Sequence, residues 1–94
     1  MVKLIAHLHT KPAQADAVAA ALLELAGPSR AEAGCLMYDV CRSKADRNKL
    51  LVLEEWESQA VLDAHMATPH FKAFVERIGS ALAGEPELEF LERL

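Results

Sequence analysis

Alternation governs the start of the chain. In VKLIAHLHT, Leu4, Ala6 and Leu8 fall on one side and Lys3, Ile5, His7 and His9 on the other, the period-two pattern of a β-strand. After Pro12 the period lengthens. Ala15, Val18, Leu22, Leu25 and Ala26 recur at helical spacing, so the pattern predicts a helix that Pro12 opens. Gly27-Pro28 is expected to break or kink it, with a short helical remnant running up to Gly34. CLMYDVCR and KLLVLEEWE read as two more strands, joined by the polar turn SKADRN into an antiparallel hairpin. Ser58 offers a hydroxyl N-cap to a second helix through AVLDAHM. Thr68-Pro69 interrupts it, and Pro69 suits the first position of a third helix capped by Thr68.

That third helix is expected to bury Phe71, Phe74, Val75, Ile78 and Leu82, which lie along one stripe. From Pro86 onward ELEFLERL alternates again, with Leu88, Phe90 and Leu94 on one face. The order is β-α-β-β-α-(α)-β, the ferredoxin-like split βαβ pattern of an α+β fold in a single domain over residues 1–94. In the third strand Leu50, Val52, Glu54 and Trp56 point one way, and Leu51, Leu53 and Glu55 the other. In the second, Leu36, Tyr38 and Val40 oppose Cys35, Met37, Asp39 and Cys41. Both sheet faces are thus substantially apolar, whereas two helices cover only one. A second copy, sheet against sheet across a two-fold axis, is the economical cover, and a homodimer is the expectation.

The chemistry concentrates in LEEWESQAVLDAHMATPHF, Leu53 to Phe71. Glu54 and Trp56 share the face assigned to the helices, and His65 lies one turn beyond Val61 on the inward stripe of the second helix. Two readings fit. A carboxylate holding one imidazole nitrogen leaves the other free as a general base, with Trp56 and Tyr38 as flat walls. A buried Glu–His pair can equally satisfy only itself. His70 follows the Thr-Pro corner five residues after His65, so it reads as packing or bonding back to the corner rather than as a metal ligand. His7 and His9 form an H-x-H pair, but no carboxylate or Cys motif near them in sequence supports a metal, and they read as polar residues of a wet sheet–sheet interface.

Composition narrows the function classes. The chain has 94 residues, 52% hydrophobic and 26% charged, with a net charge of −4, which fits one small globular domain and not a disordered segment. No stripe of Lys or Arg forms, so nucleic acid and anionic membranes are not expected partners. No apolar run approaches membrane-spanning length, and the opening residues do not make a signal peptide, so a cytoplasmic protein is expected. Cys35 and Cys41 lie on one strand, about 20 Å apart if it is extended, and read as free, buried thiols. No P-loop, G-x-G-x-x-G, G-x-S-x-G or H-E-x-x-H is present, so nucleotide, flavin and serine-nucleophile chemistry find no support.

AGCLMYDVCRS, NKLLVLEEWESQAVLDAHMATPHFKAF and the IAHLHTKP opening together resemble the antibiotic biosynthesis monooxygenase family, in particular its small quinol-monooxygenase-like branch. The resemblance covers nearly the whole chain. It implies a dimeric α/β barrel and a pocket between sheet and helices in each protomer. By position it lines that pocket with Tyr38, Val52, Glu54, Trp56, Leu62, His65 and Phe74 against a small-molecule substrate, which makes the Glu54 and His65 pair the catalytic candidates. It further implies oxidation of a quinol or phenol by O₂, with no cofactor and no metal. Haem-degrading relatives carry an Asn, a Trp and a His where this chain has Leu8, His65 and Val75, so haem degradation is not expected. Aromatic-polyketide oxygenases carry an Asn where this chain has Val52. Two alternatives remain open: an isomerase of a small phosphorylated signal, with Lys72, Arg77 and Arg42 as phosphate candidates, and a non-catalytic dimer that binds a small apolar molecule.

Overall fold

The computed structural model describes all 94 residues. Its elements run β1 (Val2–His9), α1 (Ala15–Arg30), β2 (Cys35–Arg42), β3 (Lys49–Trp56), α2 (Gln59–Met66), α3 (Pro69–Ile78), a 3₁₀ turn (Gly79–Ala81) and β4 (Glu87–Leu91). The four strands form one antiparallel sheet in the order β2-β3-β1-β4, which is the ferredoxin-like arrangement. The helices cover one face. Along β3 the alternation is complete: Leu50, Val52, Glu54 and Trp56 are buried, and the residues between them are half-exposed. Leu4, Ala6 and Leu8 of β1 lie on the same buried face, against Val18, Leu22 and Leu25 of α1. No helix is long and apolar enough to cross a membrane.

Several local features differ from the sequence pattern, each for an identifiable reason. Pro12 does not open α1. It occupies a tight turn in which the Gln14 N–H donates to the Lys11 carbonyl (3.1 Å) and Ala13 takes φ +70°. Proline followed by a left-handed residue is the signature of a type II turn, so the proline serves the turn and the helix begins at Ala15. Nor does Gly27-Pro28 break the helix, which is continuous to Arg30. The residue before a proline normally resists helical ψ because its Cβ meets the ring; Gly27 has no Cβ, and Pro28 falls in the last turn, where one lost hydrogen bond matters least.

β2 carries a bulge. Cys35 pairs with Trp56 and Met37 with Glu55, so Leu36 is the extra residue. Leu36 is therefore exposed and leaves the helix-side face to Cys35, Tyr38 and Val40. The thiols are free, but only Cys35 is partly buried; Cys41 is exposed. Finally, α3 buries Ile78 alone. Phe71 and Phe74 are half-buried and Val75 is exposed, while Leu82 lies past the helix, bridging Thr10. The apolar stripe of α3 roofs a cavity instead of meeting a packed sheet. Leu88 and Phe90 pair with Ala6 and Leu4 on this helix side, at the β4 edge no helix reaches, and both stay exposed. Leu94 lies beyond β4.

Two left-handed residues give a matched stability test. Gly34 has φ +87°, and a Cβ there would sit 2.7 Å from a Val61 methyl. Gly34→Ala should cost at least about 2 kcal/mol, from backbone strain plus overpacking. At Ala13 the substitution runs the other way: Ala13→Gly should stabilise by about 0.5 kcal/mol, the relief of strain outweighing the freedom gained by the unfolded chain. Urea unfolding of both variants measures the two signs.

Candidate active-site cavity

β3 and α2 build the polar heart of the molecule. The Ser58 hydroxyl accepts from the Val61 N–H at 3.2 Å and starts α2, so Leu62 and His65, three residues apart, both turn inward and are fully buried. The His65 ring lies over Trp56 with centroids 4.5 Å apart, and Tyr38 and Phe71 meet it edge-on at 5.7 and 5.1 Å. Under this stack the Trp56 indole N–H donates to Glu54 Oε1 at 2.9 Å.

The expected Glu54–His65 hydrogen bond is absent. His65 Nδ1 instead lies 2.8 Å from Oε2 of Glu32, and His70 Nε2 lies 2.7 Å from the same oxygen. Glu32 sits in the turn between α1 and β2, a position with no periodic signal to mark it. The Thr68 corner makes this convergence. Its hydroxyl donates to the His65 carbonyl at 2.7 Å and accepts from the Phe71 N–H at 3.3 Å. The chain therefore turns sharply between the helices, and two histidines five residues apart reach one carboxylate. His70 thus joins His65 at Glu32 instead of bonding back to the corner.

Above this arrangement lies a cavity of about 420 Å³ between sheet and helices, a size suited to a small organic molecule. Tyr38, Val52, Glu54, Leu62, His65 and Phe74 line it. Trp56, expected as a wall, does not; it is wholly buried behind Glu54 and His65. The remaining lining is mostly aliphatic and includes no Lys or Arg. The cations considered for a phosphate are engaged elsewhere or outside. Arg77 pairs with Glu24 on the surface, Arg42 pairs with Asp16, and Lys72 is exposed on α3. His7 and His9 lie on the opposite sheet face, and His7 Nε2 meets Glu89 Oε1 at 2.9 Å. The carboxylate missing from the local sequence arrives from β4.

Burial sets the electrostatics. It pushes the Glu54 carboxyl up from 4.5 to about 7; the Trp56 N–H opposes this and the Glu32 charge adds to it. Burial, then the Glu54 charge, also raises the Tyr38 phenol above its ordinary value. The cavity therefore holds a carboxyl poised to gain or lose a proton near neutrality, a neutral phenol and an imidazole.

The sequence profile of the antibiotic biosynthesis monooxygenase family matches residues 1–77. The probable quinol monooxygenase YgiN of Escherichia coli is 31% identical over 88 residues, covering 83% of this chain and 85% of its own. The uncharacterised Synechocystis protein sll1783 is 39% identical over 62 residues, 66% of this chain; that stretch spans 42% of the longer protein. A crystal structure of an antibiotic biosynthesis monooxygenase superposes with a TM-score of 0.93 at 32% identity, covering 100% of this chain and 99% of that one.

The raised Glu54 carboxyl carries a pH-dependent cost. Below pH 4.5 it is protonated folded and unfolded alike, and no penalty arises. As pH rises from 4.5 to about 7 the folded state keeps a proton that the unfolded chain releases, so stability falls and the penalty is complete above about 7. Glu54→Gln keeps the acceptor for Trp56 and removes the charge. Its stability relative to wild type should improve between pH 4 and pH 8, by up to about 3 kcal/mol, read as the shift in urea midpoint at each pH.

Proposed function

This chain belongs to the antibiotic biosynthesis monooxygenase family, and from that premise we propose that it is a cofactor-independent monooxygenase of a small quinol or similarly electron-rich phenol. The observation that carries the reading is that buried Glu54 and His65 both line one mostly apolar cavity, where burial raises the Glu54 carboxyl. The quinol follows the name of the Escherichia coli relative. Family membership and an electron-rich substrate together point to O₂ as the oxidant.

The chemistry needs a base, a dry pocket and a way to return protons. His65, held through Nδ1 by Glu32, has Nε2 free of hydrogen bonds; it and ionised Glu54 are the candidates to take the phenolic proton. The phenolate passes one electron to O₂, and the resulting radical and superoxide combine at a ring carbon that bears hydrogen. Proton delivery to the peroxide and loss of that ring hydrogen as a proton cleave the O–O bond. The products are a hydroxylated quinone and one water: quinol plus O₂ gives hydroxyquinone plus H₂O, with every atom accounted for. Tyr38, Val52, Leu62 and Phe74 bound the space in which the radical pair is kept from water. Trp56 acts behind the wall, fixing Glu54 and the His65 ring.

The sheet face away from the helices supports a homodimer. Ile5, Met37, Leu51 and Leu53 lie there, half-exposed, with no element over them. Lys3, Glu55, Arg93, His7 and Glu89 add ion pairs to the same face. An apolar centre with charged neighbours is what a two-fold interface requires.

Oxygen uptake tests the reaction. A quinol with a free ring position should consume one O₂ per turnover, whereas a fully substituted quinol should not. Glu54→Gln and His65→Ala should each lose about 10²-fold or more in rate, while quenching of the single Trp still reports ligand binding. Equal rates in all three proteins would remove these residues from the mechanism. Turnover that persists without oxygen would favour isomerisation, and binding without turnover a carrier. Sedimentation tests assembly: wild type should run at twice the chain mass, and Leu53→Asp should run as the single chain.

A further inference from the structure

The proposed oxidation uses His65 held by Glu32 but gives no part to His70, which converges on the same carboxylate oxygen. We propose that these three residues form a binding site for one divalent zinc-class cation, with His65 Nδ1, His70 Nε2 and a Glu32 carboxylate oxygen as ligands. The three donor atoms all lie within 4.8 Å of one another. They come from three separate segments, α2, α3 and the turn after α1. Such a convergence is difficult to obtain from an ordinary solvated surface.

The donor set selects the metal class. Two imidazoles with one carboxylate suit zinc and its neighbours, whereas calcium and magnesium want oxygen throughout. Three protein ligands leave the fourth tetrahedral position for water. Ligands about 2.0–2.2 Å from a tetrahedral ion stand roughly 3.3 Å apart, so the 2.7–2.8 Å contacts must open by about half an ångström. Glu32 supplies that opening, because it belongs to no helix or strand and its Oε1 makes no hydrogen bond. The partly exposed His70 ring supplies any closing of the two imidazole nitrogens, which lie within 4.8 Å of each other.

The His65 ring and the backbone that carries both imidazoles are already held. His65 is clamped by Trp56, Phe71 and Tyr38, and the Thr68 hydroxyl ties the backbone on both sides of the corner that separates the histidines. Donors fixed before the ion arrives lose little freedom on binding. The ion has an approach as well, because Glu32 and His70 are only partly buried while His65 is closed off. Neither Glu32 nor His70 lines the apolar cavity, although His65 does. The cation would therefore sit behind the His65 ring, on the side opposite the substrate space. With Nδ1 on the ion the neutral ring carries its proton on Nε2, so in the loaded protein His65 donates into the cavity and Glu54 is left as the base.

Titration of the metal-free chain with Zn²⁺, followed by calorimetry and by thermal unfolding, tests this directly. The expected result is one ion per chain and a rise in unfolding temperature. Co²⁺ should show the visible absorption of a four-coordinate site. Glu32→Gln and His70→Ala, both at partly exposed positions that leave the core intact, should each weaken Zn²⁺ binding by about 10-fold or more. The double variant His7→Ala/His9→Ala controls for the other histidine pair and should bind as wild type does. Undiminished binding in Glu32→Gln/His70→Ala would overturn the proposal. So would no binding by wild type at about 100 μM Zn²⁺, a concentration that half-saturates a site worth about 5.5 kcal/mol.

Discussion

Glu54 is out of water with one hydrogen bond, from the indole N–H of the residue two places further along the same strand. Much of the molecule depends on that arrangement. An ionised carboxylate with a single donor is poorly compensated, so the group holds its proton to unusually high pH. The partner cannot move, since Trp56 is fully buried and its other face carries the His65 ring. His65 in turn is fixed by Glu32, and Glu32 by a second histidine. A chain of contacts thus leads from a strand residue under the cavity to a partly exposed imidazole at the α2–α3 corner.

The cavity is not a packing defect. Closed, dry space in a core costs about 24 cal/mol per Å³, so 420 Å³ would cost on the order of 10 kcal/mol, comparable to the whole stability of a small domain. The space persists because it opens to solvent between α3 and the β4 edge, where Val75 and Leu88 remain exposed while lining it. The amphipathic stripe of α3 therefore has a different use from that of α1. In α1 the apolar positions are buried in the core. In α3 they line the cavity, and a bound apolar molecule would complete their burial.

That distinction also separates what was legible in the sequence from what was not. The strand limits Cys35–Arg42, the caps Ser58 and Thr68, and the inward direction of Glu54, Trp56 and His65 followed from local periodicity and local hydrogen-bonding chemistry. These are short-range effects that a sequence carries openly. The ferredoxin-like class followed from the pattern of elements. Periodicity shows which face of α3 is apolar, but not whether that face meets atoms or a cavity. Pro12 and Pro28 misled because a proline has two uses, and the neighbour decides: Ala13 accepts a left-handed turn, and Gly27 lacks the Cβ that would forbid helix.

Glu32 was beyond reach for a different reason. Nothing in RAEAG distinguishes its carboxylate from any exposed one, and its partners are 33 and 38 residues away. Pairing Glu54 with His65 from sequence assumed that two polar residues on facing elements satisfy each other. The assumption failed because Trp56 lies between their functions: its N–H takes Glu54 and its ring face takes His65. The imidazole Nδ1 meets its acceptor on the other side instead. The turn after α1 supplies it, and the same oxygen is close enough to draw in His70. The polar centre is thus a consequence of one tryptophan serving two neighbours, and the separation of Glu54 from Glu32 leaves one carboxyl for the cavity and one for the histidines.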